Sequence, residues 1–162
     1  MRLALIMDTG GSMDPHTRLV ERLFSASKAA KGFKTFEAWY FHNVPTGWLY
    51  RNYATWDRQR IEEILDGWTP QHRLVFVGDA SMAPWELNTQ TPRTYGEQGG
   101  LSGLDWLKMI RQRCPGSVWL NPDPVRFWDH PTVSAVGAVF PMFPLTLDGL
   151  RDAIRRLRGP VG

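Results

Sequence analysis

Two short, unbroken apolar runs, each leading to an aspartate, set the strongest limit on how this chain folds. Leu3 to Met7, "LALIM", runs directly into Asp8, and "RLVFVGDAS", residues 73 to 81, carries Asp79 just past its apolar stretch. A half-exposed strand alternates polar and apolar side chains, whereas a run without polar interruption has to be covered on both faces. Interior strands of a parallel sheet meet that requirement. The segments between them supply the cover. After Pro15, "HTRLVERLFSASKAAKG" sets Leu19, Val20, Leu23, Phe24 and Ser27 on one side at helical spacing, with Gly32 at the stop. "WDRQRIEEILDGW" aligns Ile61, Ile64 and Leu65 and predicts a helix ended by Gly67. "LDWLKMIRQRC" turns Leu104, Leu107 and Ile110 inward, and "GLRDAIRRLR", capped by Thr146 or Asp148, does the same with Leu150, Ile154 and Leu157. "TFEAWYFHN", residues 35 to 43, reads as a second strand, "TGWLYRN" as a hairpin-like edge strand, and "SVWL" and "MFPLT" as later strands. The stretch from Asn88 to Ser102 lacks periodicity and reads as a surface loop. Strand and helix patterns alternate throughout. The expected fold is α/β: an open, mostly parallel, Rossmann-like sheet with helices on both faces and one antiparallel edge strand. Ligands of such sheets collect beyond the carboxyl ends of the strands.

A length of 162 residues suits one core, so a single domain over 1–162 is expected. A strand beginning almost at residue 1 fits a domain cut from a longer chain. The net charge of +3 comes partly from "RDAIRRLRG", residues 151 to 159, and reads as one solvated helix face; without a basic-aromatic module, nucleic acid is not an expected partner. One cysteine, Cys114, excludes an internal disulfide and a Cys/His zinc cluster, which fits a reducing compartment. No run of about 18 apolar residues is available to span a bilayer, so no membrane association and a cytoplasmic location are expected. His16, His42, His72 and His130 are scattered and read as surface or hydrogen-bonded residues. Most of the eight tryptophans read as core, while Trp85, just after Asp79, is a candidate for the rim of a site.

The loop "MDTGGSMDPH", residues 7 to 16, admits two chemical readings. Asp8-Thr9-Gly10 is the tripeptide of an aspartic protease, but that chemistry needs two such aspartates in an all-β frame. Here the residues after Ser12 turn into an amphipathic helix. The other reading is a divalent-metal loop: Asp8 at a strand end and Ser12 at the start of the next helix offer hard oxygen donors, and the glycines let the loop tighten. Asp79 reaches the same place if its strand neighbours the first. Each residue also has a plain structural role open to it, Asp8 as a turn cap and Ser12 as a helix N-cap.

The strand, "DTGGSM", the amphipathic helix and the later "VFVGDAS" together resemble a von Willebrand factor type A (VWA) domain with its metal-ion-dependent adhesion site. "FVGDASM", "VWLNP" and "PLTLDGL" further resemble the bacterial CoxE-like branch, often linked with MoxR-type AAA+ ATPases. The resemblance spans nearly the whole chain. It implies that Asp8 is the first metal-loop aspartate, Ser12 the second serine of that loop and Asp79 the strand-end aspartate. A threonine is implied from a second loop. Thr55, just before the helix expected from Asp57, is the first choice and Thr46 the second. Ser81 is a further hydroxyl in the third loop. Gly10 stands where the family usually has its first serine, so one hydroxyl ligand is absent and a water takes its place.

The implied function is a non-enzymatic, metal-dependent protein-interaction module. Asp8, Ser12, Asp79 and Thr55 would hold Mg²⁺, or Mn²⁺ or Ca²⁺, for a partner protein presenting an Asp or Glu carboxylate. By resemblance that partner is a MoxR-type AAA+ ATPase. Two alternatives stand beside it: a metal-dependent hydrolase using the same aspartates, and a metal-free interaction scaffold.

Overall fold

The computed structural model describes residues 1–92 and 99–160. Seven strands form one sheet in the order β4-β3-β2-β1-β5-β6-β7. They are β1 (Arg2–Asp8), β2 (Thr35–Phe41), β3 (Trp48–Tyr50), β4 (Arg58–Arg60), β5 (His72–Val77), β6 (Ser117–Asn121) and β7 (Met142–Pro144). β1 pairs in parallel with both β2 and β5, and β5, β6 and β7 continue the parallel arrangement. The expected α/β architecture is therefore what forms. Leu3, Ala4, Leu5, Ile6 and Met7 are all buried, as an unbroken apolar run in the middle of such a sheet requires.

The helices are α1 (Thr17–Ala29), α2 (Ile61–Gly67), α3 (Pro84–Asn88), α4 (Gly103–Arg113), α5 (Pro131–Val139) and α6 (Leu147–Arg158). Alternation along β1 divides the interior in two. Ala4 and Ile6 join Phe41, Phe76, Trp119 and Phe140 in a cluster that includes Ile61, Ile64 and Leu65 of α2, Leu107 and Ile110 of α4 and Val136 of α5. Leu3, Leu5 and Met7 join Val75, Val77 and Leu120 in a second cluster with Ala153 and Leu157 of α6. The first has an aromatic centre, with Phe76 and Trp119 stacked at 5.2 Å. The second is more loosely covered: α1 has no fully buried residue, and Val20, Leu23 and Phe24 pack only partly against it.

Several local expectations change. The helix expected from Asp57 starts at Ile61, because Arg58–Arg60 is drawn into a strand against β3. Arg58 and Arg60 lie over the Trp48 ring at 4.0 and 5.6 Å, a cross-strand attraction that helical periodicity does not register. The antiparallel edge thus holds two strands, β3 and β4. Leu19 and Ile154, expected inward, are 41% and 47% exposed. Thr146 supplies the α6 cap, accepting from the Gly149 N–H at 3.1 Å. α3 and α5 carry no advance signal: α3 has only 5 residues, and the valines of α5 are as compatible with a strand. Part of the loop expected over Asn88–Ser102 lies outside the described residues; Thr91 and Leu101 form an antiparallel bridge across it. Among the described residues no helix is long and apolar enough to cross a membrane.

Candidate functional site

Setting aside the added edge strand β4, the sheet runs 3-2-1-5-6-7, so the chain leaves β1 for one side and later returns to build the other side from β5. A crevice opens between the loops at such a reversal, beyond the carboxyl ends of the two central strands. Asp8 ends β1 and Asp79 lies two residues beyond the end of β5. Adjacency of β1 and β5 makes them neighbours, and the negative charge of Asp79 acts on the Asp8 carboxyl.

Asp8 is 4% exposed. Its Oδ1 accepts from the N–H groups of Gly10 at 2.7 Å and Asn43 at 2.9 Å. Its Oδ2 is buried and accepts no hydrogen bond. The closeness of the central strands explains this isolation. A Cβ at Gly78 would lie 3.0 Å from Asp8 Cβ and 3.2 Å from the edge of Trp119, so a side chain there would push β5 off β1. Burial pushes the Asp8 carboxyl up to about 6; the negative charge of Asp79 adds to the rise, and the two backbone N–H bonds and His42 oppose it.

Asp79 is 2% exposed and its Oδ1 accepts from the Ser81 N–H at 3.1 Å. Its loop is braced from two elements. Asn121 donates to the Asp79 carbonyl at 2.9 Å, and Thr132, at the start of α5, donates to the Ala80 carbonyl at 2.7 Å while accepting from the Met82 N–H. Ala80 takes a φ of 56° and Asn43 a φ of 60°, so both loops contain a left-handed residue other than glycine.

The other expected ligands divide. Ser12 is exposed in the 3-10 turn Gly11–His16 between β1 and α1, facing solvent at the same edge; it is not the N-cap of α1, a position taken by His16. Thr55 follows β3. β3 runs antiparallel to β2 with Tyr50 opposite Tyr40, so the chain beyond Tyr50 heads back from the carboxyl edge. Thr55 sits in the turn before β4 with a φ of 58°, and among the described residues no hydrogen bond joins it to Asp8 or Asp79. The β3–β4 pairing replaces the helix start on which its choice rested. Thr46, exposed between β2 and β3, is a threonine on a loop at that edge. Cys114, buried at the end of α4, has its thiol pushed up to about 12 by burial and is inert at neutral pH.

Asn43 is the residue the sequence did not single out. Phe41 pairs with Asp8, and Asn43 lies two residues further on, which brings its backbone to the Asp8 carboxylate. Its side-chain amide donates to Glu86 at 3.3 Å, and Glu86 also accepts from the Ala83 N–H at 3.1 Å. Only the strand register, unknown from the sequence, connects these positions.

Among the described residues, no group of three or more His, Cys, Asp or Glu side chains is placed to hold a metal. A cation here would rest on two carboxylates completed by hydroxyl or amide oxygens and water, a donor set suited to Mg²⁺ and not to zinc. The orphaned Asp8 Oδ2 fits such an ion, which would neutralise a buried acceptor that has no proton donor. Beside this edge, on the α1 side, a cavity of about 470 Å³ is lined by Met13, Val20, Phe24, Tyr40 and Tyr53 among others. Compared with known proteins, the chain matches no family model and no curated protein.

Proposed function

We propose that this chain is a metal-dependent protein-interaction module of the VWA kind, in which a divalent cation is held at the crevice between the loops after β1 and β5. The observation that carries this reading is the pair of buried aspartates at the reversal of strand order, one with an oxygen that accepts no hydrogen bond. A buried carboxylate oxygen without a donor costs about 1–3 kcal/mol or more, a cost a bound cation would remove. Asp8 and Asp79 would hold the ion, with Ser12 and Thr46 as hydroxyls on loops of the same edge and water completing the shell. Mg²⁺ commonly binds through one or two carboxylates and keeps several waters. When bound, the ion supplies an exchangeable position for a hard anionic oxygen, such as an Asp or Glu carboxylate of a partner. Trp85 is 68% exposed on α3, directly after the Asp79 loop, and offers an aromatic anchor for the surrounding contact. By the resemblance, the partner is a MoxR-type AAA+ ATPase and the module its adaptor.

The test is a Mg²⁺ and Mn²⁺ titration of the purified chain beside Asp79→Ala, followed by ATPase pulldown with and without chelator. Saturable binding lost in the variant, and partner capture lost in chelator, are the expected results. Capture that persists in chelator replaces this reading with the metal-free scaffold. Metal-dependent turnover of phosphoester or peptide substrates, abolished by Asp8→Asn, replaces it with the hydrolase.

A further inference from the structure

We infer that Asn43 is a metal ligand of this site, its side-chain carbonyl oxygen substituting for the hydroxyl that Gly10 cannot supply. This inference rests on the metal-site reading above. Three observations carry it. The first is steric: a Cβ built on Gly10 would collide with Asn43 Oδ1 and lie 3.1 Å from Asp8 Oδ1. The volume a serine side chain would take at position 10 is therefore already filled by the amide oxygen of Asn43.

The second fixes which end of the amide points inward. Asn43 Nδ2 lies 3.3 Å from Glu86 Oε1, and an ionised carboxylate only accepts, so the NH₂ end has to face Glu86. The oxygen end then has to face Gly10 and Asp8. Glu86 is itself anchored through the Ala83 N–H at the start of α3, so the orientation is held from a second element.

The third is a balance of donors and acceptors. Asp8 Oδ2 is buried and accepts nothing, and among the described residues no hydrogen bond is donated to Asn43 Oδ1. Asp8 Oδ1 and Asn43 Oδ1 both lie beside the point a Gly10 Cβ would occupy, the unpartnered Oδ2 belongs to the same carboxylate, and Asp79 adds a further negative charge. Neighbouring acceptor oxygens repel, and a cation bound beside them turns that repulsion into coordination. An amide carbonyl is a hard, neutral oxygen ligand of the kind these ions accept.

The experiment uses Mn²⁺ as the probe, with bound and free ion quantified by electron paramagnetic resonance at neutral pH. The variants are Asn43→Gly and the double variant Asn43→Gly with Gly10→Ser. Glycine tolerates the φ of 60° at position 43 and keeps the backbone N–H that Asp8 accepts, so only the side chain is removed. Asn43→Gly is expected to weaken Mn²⁺ binding at least tenfold while leaving the metal-free thermal midpoint within a few degrees of the parent. The double variant, with a hydroxyl in the vacated volume, is expected to recover most of the affinity. Equal affinity in Asn43→Gly and the parent overturns the assignment of Asn43 while leaving the metal site standing. No Mn²⁺ binding by the parent chain overturns both.

Discussion

Asp8 and Asp79 occupy similar places, each at the carboxyl end of a buried parallel strand, yet their loops are secured with different emphasis. The Asp79 loop is held through its backbone: Asn121 and Thr132 bind the carbonyls of Asp79 and Ala80, and Met82 donates back to Thr132. The Asp8 loop has a backbone bond from Thr9 to the Phe41 carbonyl, but its turn is gathered by the carboxylate itself, whose Oδ1 accepts from the N–H groups of Gly10 and Asn43. One aspartate is therefore displayed by a scaffold that leans on its carboxylate only through the Ser81 N–H. The other is part of its own scaffold, and its charge state bears on the structure around it. A site built this way has one fixed wall and one wall that responds to what it binds.

The largest expected effect comes from removing the charge of Asp8. Its carboxyl is raised from 3.8 to about 6, chiefly by burial. The folded state thus binds this proton more tightly than the unfolded chain does. Its contribution favours folding at low pH and is lost as pH rises from about 4 through about 6. At neutral pH the ionised group costs up to about 3 kcal/mol. Asp8→Asn is expected to stabilise the metal-free protein by an amount of that order at neutral pH and by little near pH 4. Urea denaturation at the two pH values checks this, and an equal gain at both would contradict burial as the cause. The same variant is expected to lose divalent-ion binding, a conflict between stability and function common at such sites.

Next in size is Thr132→Val, aimed at the rigid wall. It strips the Met82 N–H and the Ala80 carbonyl of a buried partner and is expected to cost about 2 kcal/mol. Because Asp8 does not depend on that bracing, the fall in stability between about pH 4 and 6 should survive in the variant. Its disappearance would mean that the loops are coupled rather than independently secured. The smallest effect belongs to Ser12→Ala. The side chain is exposed and makes no hydrogen bond among the described residues, so the thermal midpoint should move by no more than about 0.5 kcal/mol would shift it. Metal affinity should nevertheless fall, separating a ligand from a structural residue.

The strands and the larger helices were legible because their signals are local. An uninterrupted apolar run such as Leu3–Met7 and the stripe of Ile61, Ile64 and Leu65 each encode burial in residue order. Arg58–Arg60 was misread because its strand state is owed to Trp48, ten or more positions away, and to stacking that no helical or alternating period displays. That single change removed the basis for Thr55. Asn43 escaped notice for a related reason: "HN" after a strand is unremarkable until register sets it beside Asp8 and Gly10.

Residue order alone determined that this chain forms a layered α/β sheet with a carboxylate at the end of each of two buried strands, because hydrophobic patterning and helix stops act over a few residues. That the two strands are adjacent, that Gly78 lets them close until an oxygen of Asp8 has no hydrogen-bond partner, and that Asn43 fills the space beside Gly10 were decided only by the tertiary structure. Those relations depend on distances across the sheet, and such distances come from packing, which a linear pattern does not contain.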